Sequence, residues 1–397
     1  GRTGFRVSDF GSGTPYNETV LKALLDAGVN FIDTGEAYGN GNNERLIAQV
    51  IKKYDRSKIF INCKLYTENK FESKEDVIKR TNEALERLET GYVDCMMIHS
   101  AENSIIIKDE AFHAAMKQLK KEGKVRSVGV SCHGNNHLVN PDESMDKILL
   151  TAVHDGRFDV IQLAYNFFNA DIAGKVLKAC RKKNIGTEII KSNPVQLFFM
   201  MEDSISRYKS AEKEPPESTM AFYEKFKVMT EEAREKFDPY RRMSNEELMN
   251  AAMKFVLQDD NAHTVLWAFR NLEEVESMLS LSGMDAGDKD RALLMNYRET
   301  HGHLNCKIGC NECERACPYR LPVNHIMRFN YYYTAKGRQK EAMEYYAGLP
   351  GKKPHEVCGD CPGYCEQACP YGVKTRSVLA MAERNLQWTG NKDIYYT

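Results

Sequence analysis

The stretch "VNFIDTGEAYGNGNNERLIAQVIKKYDRSKIFINCK", Val29–Lys64, holds the unit from which the rest of the chain is read. It opens on a short apolar run, "VNFID", crosses a polar glycine-rich loop into an amphipathic segment, and returns to a second apolar run, "KIFINCK". Continuous apolar runs of this length, separated by helical patterns, mark parallel strands buried on both faces. Six more runs keep the rhythm: "SDFGSG" (8–13), "YVDCMMIH" (92–99), "RSVGVSC" (126–132), "FDVIQLAY" (158–165), "GTEIIK" (186–191) and "TVLWAF" (264–269). The segments between them have helical spacing, as in Val77, Thr81, Leu85 and Leu88, or Phe112, Ala115, Met116 and Leu119. Eight such units in roughly 250 residues predict an α/β fold, a (β/α)8 TIM barrel. An open doubly wound sheet is the rival. It would carry a glycine-rich turn after its first strand, and "GSGTPYNE" is a poor match to that pattern.

Working outward, the barrel is assigned to residues 1–284. Its rhythm breaks at 198–242, a charged stretch with "KEPPES" in its middle. This is read as a partly helical insertion after strand seven, either a lid over the barrel's functional face or a solvated excursion. The "FFMM" at its start reads as packing. Residues 285–397 form a second, smaller domain, with two short helices expected in the stretch after Val323.

The chain has 397 residues, 42% hydrophobic and 28% charged, as a globular protein of two domains would. A net charge of −1 gives no reason to expect nucleic acid or an anionic membrane as a partner. No apolar run is long enough to span a bilayer, and "GRTGF" does not read as a signal peptide. The 12 cysteines sit in a long chain rather than a short loop-rich one, so metal binding in a reducing compartment is expected, and with it a cytoplasmic location.

Eight of those cysteines fall in two near copies, "CKIGCNECERACP" (Cys306–Pro318) and "CGDCPGYCEQACP" (Cys358–Pro370). Each packs four cysteines into twelve residues and ends in Cys-Pro. Zinc sites favour separated C-x2-C pairs. Four clustered thiols followed by proline are similar to two-cluster ferredoxins, in which three close cysteines and one remote Cys-Pro bind each cubane. That likeness implies two [4Fe-4S] clusters, with Cys306, Cys310 and Cys313 joined by Cys369, and Cys358, Cys361 and Cys365 joined by Cys317. Each run has one x3 gap where ferredoxins usually have x2, which leaves the pairing open.

Strand ends carry the acid–base candidates. Asp33 closes strand two, Tyr38 lies in the loop beyond, Lys64 ends strand three and His99 ends strand four. Active sites of such barrels lie at the C-terminal strand ends, so these four groups should converge. A tyrosine beside a lysine ammonium has its phenolate stabilised and becomes a usable proton donor. The aspartate would hold the lysine charged, and the histidine would orient a substrate oxygen.

"GRTGFRVSDFGSGT", "GVNFIDTGEAYGNGNNE", the Lys64 strand and "MMIHS" resemble the aldo-keto reductases. "VGVSCHG", "IQLAYNFF" and the cysteine-rich tail resemble the branch of that family with a C-terminal helical ferredoxin-like domain. The resemblance implies an oxidoreductase that reduces a carbonyl-like small molecule, with a tetrad of Asp33, Tyr38, Lys64 and His99 and Tyr38 as the acid. It also implies an NADP(H) site near Ser131, Gln162, Lys191 and Arg270. The chain departs from the family at the phosphates. "KSNPVQLFF" after strand seven has no glycine, and "AFRNLEEVE" after strand eight offers Arg270 as its one cation, with glutamates following. Three readings stay open: a nicotinamide-dependent reductase, a reductase fed through its clusters by a ferredoxin- or flavodoxin-type carrier, and a non-enzymatic electron-transfer or interaction protein.

Overall fold

Eight parallel strands close into a barrel in simple sequential order: β1 (Phe10–Gly13), β2 (Phe31–Asp33), β3 (Phe60–Tyr66), β4 (Val93–His99), β5 (Val125–Cys132), β6 (Val160–Ala164), β7 (Gly186–Ile190) and β8 (Thr264–Trp267). The computed structural model describes residues 1–15, 17–67, 70–134, 143–194, 245–335 and 338–387, with Glu214, Met220 and Glu224 between them. The insertion expected at 198–242 otherwise lies outside the described residues.

All eight expected strands are present, with shifts at their ends. β1 starts at Phe10 rather than Ser8, because the two preceding side chains take local bonds. Ser8 Oγ donates to the Phe10 carbonyl at 2.6 Å, and Asp9 Oδ1 accepts from the Phe10 amide at 2.9 Å. β3 runs two residues past Lys64, pairing Tyr66 with His99 of β4. Closure comes from β1 against β8, with Phe10 opposite Val265 and Ser12 opposite Trp267.

The floor of the barrel is apolar. Phe31 stacks on Phe60 at 4.9 Å, Phe5 packs edge-on to Phe60, and Cys95, Met97, Val160 and Leu266 complete the layer. Outside, the helix Glu110–Lys121 buries Phe112, Ala115, Met116 and Leu119, as their spacing requires. Asp109 caps its first turn by accepting from the Phe112 amide at 2.8 Å. Burying each large apolar side chain contributes roughly 1.5–3 kcal/mol.

The chain divides into two compact units, Gly1–Ser192 with Met253–Ala286, and Asn193–Ala252 with Gly287–Thr397. The second unit contains helices at Val323–Ala335, Gln339–Ala347 and Thr375–Leu386. The first two are those expected between the cysteine runs. Leu321, Ile326, Phe329, Tyr346, Leu379 and Leu386 form its core, and Cys313, Cys317 and Cys365 are part of the same cluster. Among the described residues no helix is long and apolar enough to cross a membrane.

Candidate active site

The loop that carries Tyr38 is held from beneath. Thr34 Oγ1 donates to Asn43 Oδ1 at 2.8 Å, Asn43 Nδ2 donates to the Pro15 carbonyl at 2.8 Å, and the buried Glu44 carboxylate pairs with Arg87. Gly39, Asn40 and Gly41 all take positive φ, at 59°, 51° and 80°, which turns the chain tightly behind Tyr38. Gly35 passes close over Lys64, where an added Cβ would lie 3.2 Å from the lysine Cβ.

The four acid–base candidates come together. Lys64 Nζ lies 2.5 Å from Asp33 Oδ1 and donates to the Thr34 carbonyl at 2.9 Å. The same ammonium stands 4.9 Å from the centre of the Tyr38 ring. Tyr38 Oη and His99 Nε2 are 3.4 Å apart, their rings edge to face. Asp33 and Lys64 are buried, whereas Tyr38 and His99 are half-buried at the rim. Burial pushes the Lys64 ammonium down, but Asp33 and then Tyr38 outweigh it and hold Lys64 above its ordinary range, so it stays charged. A cation fixed beside a phenol hydroxyl stabilises the phenolate left when that hydroxyl gives up its proton.

Asn62 and Glu188, which the strand pattern did not single out, complete the floor of this site. Asn62 Nδ2 donates to Asp33 Oδ1 at 2.8 Å and to Glu188 Oε2 at 3.0 Å. Gln162, expected near a nicotinamide, directs its Nε2 inward to the same two carboxyls, at 3.0 Å each. A charged or amide side chain in the middle of an apolar strand ("IFINCK", "GTEII") is the signal that could have found Asn62 and Glu188.

The other expected cofactor contacts are scattered along the strand ends. Ser131 is buried at the end of β5 and its Oγ accepts from the Ser100 amide at 2.7 Å. Lys191 follows β7 in the left-handed region, φ 55°, and its carbonyl accepts from Asn166 Nδ2 at 2.9 Å. Arg270 is committed elsewhere: its Nε donates to Glu274 Oε1 at 2.6 Å and its backbone amide to Glu274 Oε2 at 3.0 Å. The helix that follows, Leu272–Leu279, has Glu273 and Glu274 in its first turn. Two carboxylates there offset the positive end of the helix dipole that would otherwise attract a phosphate.

In the second unit the two cysteine runs are near copies in structure too. A five-residue helix carries the third cysteine of each run: Glu312–Ala316 holds Cys313 and Tyr364–Ala368 holds Cys365. Glu314 Oε1 accepts from the Asn324 amide at 2.7 Å, and Glu366 Oε1 accepts from the Arg376 amide at 2.9 Å. Asn324 Nδ2 then donates to the Cys310 carbonyl at 2.7 Å, and Arg376 Nη2 to the Cys358 carbonyl at 3.2 Å. Each loop is thus tied down by the residue ten positions after a glutamate.

Across the runs, Cys317, Cys358, Cys361 and Cys365 line one cavity. Burial, and then the neighbouring Cys310, Glu314 and Cys369, push the Cys306 thiol above its ordinary range. Cys310 is pushed up to about 11 by burial, against the Glu312 backbone amide, whose hydrogen bond lowers it. Lys307 lies over the Tyr371 ring at 3.4 Å, joining the start of one run to the end of the other. Among the described residues no group of three or more His, Cys, Asp or Glu is arranged to hold a single metal ion. A cubane is gripped at separate corners, so its four thiolates stand apart where the ligands of one ion converge. The four thiols around the one cavity, Cys317, Cys358, Cys361 and Cys365, match the number and kind of donors that a cubane takes.

A family model described as "Aldo/keto reductase family" matches residues 12–290. The aldo-keto reductase YhdN of Bacillus subtilis is 22% identical over 286 residues, spanning 68% of this chain and 80% of that protein. A thermostable aldo-keto reductase, Tm1743, solved with the inhibitor epalrestat, superposes with a TM-score of 0.51 at 21% identity, covering 74% of this chain and 96% of that one. An aldo-keto reductase from Klebsiella pneumoniae, solved with NADPH, superposes with a TM-score of 0.50 at 18% identity, covering 72% of this chain and 90% of that one.

Proposed function

This chain belongs to the aldo/keto reductase family, and we propose that it reduces the carbonyl-like group of a small molecule with Tyr38 as the proton donor. The observation that carries this reading is the convergence of Asp33, Lys64, Tyr38 and His99 at neighbouring strand ends. Tyr38 gives its hydroxyl proton to the substrate oxygen as electrons reach the carbonyl carbon. Lys64 holds the resulting phenolate, and Asp33 keeps Lys64 charged and aimed. His99 Nε2, beside the Tyr38 hydroxyl, orients the substrate oxygen by hydrogen bond.

The electrons come from NADP(H), from two [4Fe-4S] clusters, or from both. Bound nicotinamide would supply a hydride, and the clusters would supply electrons singly. The NADPH bound by the Klebsiella relative supports the first source, and on this reading Ser131, Gln162, Lys191 and Arg270 would contact the cofactor. The Glu274 grip on Arg270 weakens the case for a 2′-phosphate. The two cysteine quartets support the second source, with Cys306, Cys310, Cys313 and Cys369 holding one cluster and Cys317, Cys358, Cys361 and Cys365 the other. On that reading a small carrier of ferredoxin or flavodoxin type is the electron-donating partner.

Two measurements test this. Anaerobically purified protein is expected to hold about eight irons and eight acid-labile sulfides; stoichiometric zinc without sulfide removes the cluster reading. The fully reduced protein, assayed against small aldehydes and ketones, is expected to lose turnover on Tyr38→Phe, and undiminished turnover removes the acid reading.

A further inference from the structure

Three ionisable groups share the closed interior of the barrel: Asp33, Lys64 and Glu188, all essentially shut off from solvent. Two are acids and one is a base. If both carboxyls were ionised, a net negative charge would be left in the apolar interior, which is costly without a partner. One proton must therefore be stored on the pair, and the contacts decide where. Asp33 has the ammonium at 2.5 Å. Glu188 has only neutral donors, Asn62 Nδ2 and Gln162 Nε2, both at 3.0 Å to the same oxygen. Its other oxygen, Oε1, is buried with no hydrogen-bond partner, and so is the hydroxyl of Thr264, its register partner on β8. The proton belongs to Glu188.

The geometry points to Glu188 as a positioning residue for the acid–base site: kept as the neutral acid beneath Asp33 and Lys64, it anchors the amide bridge and leaves the ammonium charge to Asp33 and Tyr38. The inference rests on Tyr38 as the proton donor. Asn62 and Gln162 each hydrogen-bond both carboxyls, so Glu188 fixes the far end of the bridge that sets Asp33. Once ionised, Glu188 would compete for Lys64 and weaken its hold on the Tyr38 phenolate.

The groups that face Glu188 are Asp33 from β2, Lys64 and Asn62 from β3, Cys95 from β4, Gln162 from β6 and Thr264 from β8. Burial, and after it the Asp33 charge, raise the Glu188 carboxyl from 4.5 to about 8, against the opposing pull of Gln162 and Lys64. Turnover should therefore fall as pH rises through about 8. Folding stability follows the same proton. Between 4.5 and about 8 the folded chain keeps it and the unfolded chain has lost it, so stability declines with rising pH across that window.

The test compares wild type with Glu188→Gln. Infrared difference spectra with 13C-labelled glutamate are expected to show a protonated carboxyl at neutral pH that titrates near 8 in wild type and is missing in E188Q. In E188Q the alkaline fall of kcat/KM is expected to move upward by about one pH unit, and the decline of stability with pH is expected to flatten. A Glu188 carboxyl already ionised at neutral pH overturns the inference without any assay of turnover. So do superimposable pH profiles of wild type and E188Q, which is what a purely structural side chain would give. Full turnover by Y38F, with the infrared band intact, removes the Tyr38 reading instead, and the two failures are told apart.

Discussion

The barrel holds its buried charges between strands, whereas the second unit holds its buried thiols with helices of four or five residues. In the barrel, Asp33, Lys64 and Glu188 are tied by hydrogen bonds that cross from β2 to β3, β6 and β7, and the ladders on either side are continuous. In the second unit, Glu312–Ala316, Pro354–Val357 and Tyr364–Ala368 are too short to persist alone. Cys313 and Cys365, which two of them carry, lie inside the apolar core. A site built on closed ladders is preorganised by the fold. A site built on single turns of helix needs its ligand to complete the fold.

On the proposed two-cluster reading, the largest effect expected from that difference follows removal of iron. Anaerobic chelation should abolish amide-exchange protection around Cys306–Cys317 and Cys358–Cys369 and leave the barrel strands protected, because the metal's binding energy is folding energy for the cysteine loops alone. Unchanged protection in those loops would break the comparison and leave packing as their sole support.

Replacing Tyr38 by Phe tests the barrel side. The hydroxyl lies at the half-buried rim beside His99, so turnover should drop roughly 10²–10⁴-fold with iron content and thermal unfolding unaltered. A matching loss of iron would mean that the two units are not independent.

Lys64→Met attacks the preorganised floor. It leaves Asp33 buried without its cation, a change that costs about 3–5 kcal/mol. Denaturant unfolding should show that loss in the barrel transition, and adding Asp33→Asn should recover part of it. Failure to recover would mean that the lysine contributes by packing rather than by pairing.

The smallest effect concerns nucleotide. With Arg270 held by Glu274, a dissociation constant for NADPH no tighter than roughly 10⁻⁴ M is expected. Glu274→Gln frees the guanidinium and should tighten NADPH, but not NADH, by up to about fivefold, since one exposed charge contact contributes roughly 1 kcal/mol or less. Micromolar NADPH binding by wild type in calorimetry would show that the phosphate grip does not depend on Arg270.

Much of this was legible in the sequence, for physical reasons. Apolar runs separated by amphipathic segments can only be buried as parallel strands under helices, so all eight strands and the outer helices follow from residue order alone. Asp33, Tyr38, Lys64 and His99 were visible because the barrel places strand ends together whatever the side chains are. Chain spacing likewise picked out the eight clustered cysteines. The partners were not legible. That Glu188 shares its amides with Asp33 and that Gln162 points inward depend on how the barrel closes, whereas the nearness of Cys369 to Cys306 and of Cys317 to Cys365 agrees with the pairing that the ferredoxin likeness implied. Arg270 reads as a free cation in the loop until the next helix brings Glu274 back onto it. Periodicity fixes which face a side chain takes. Which group meets it there is decided by contacts between residues far apart in the chain, and only the tertiary structure brings those together.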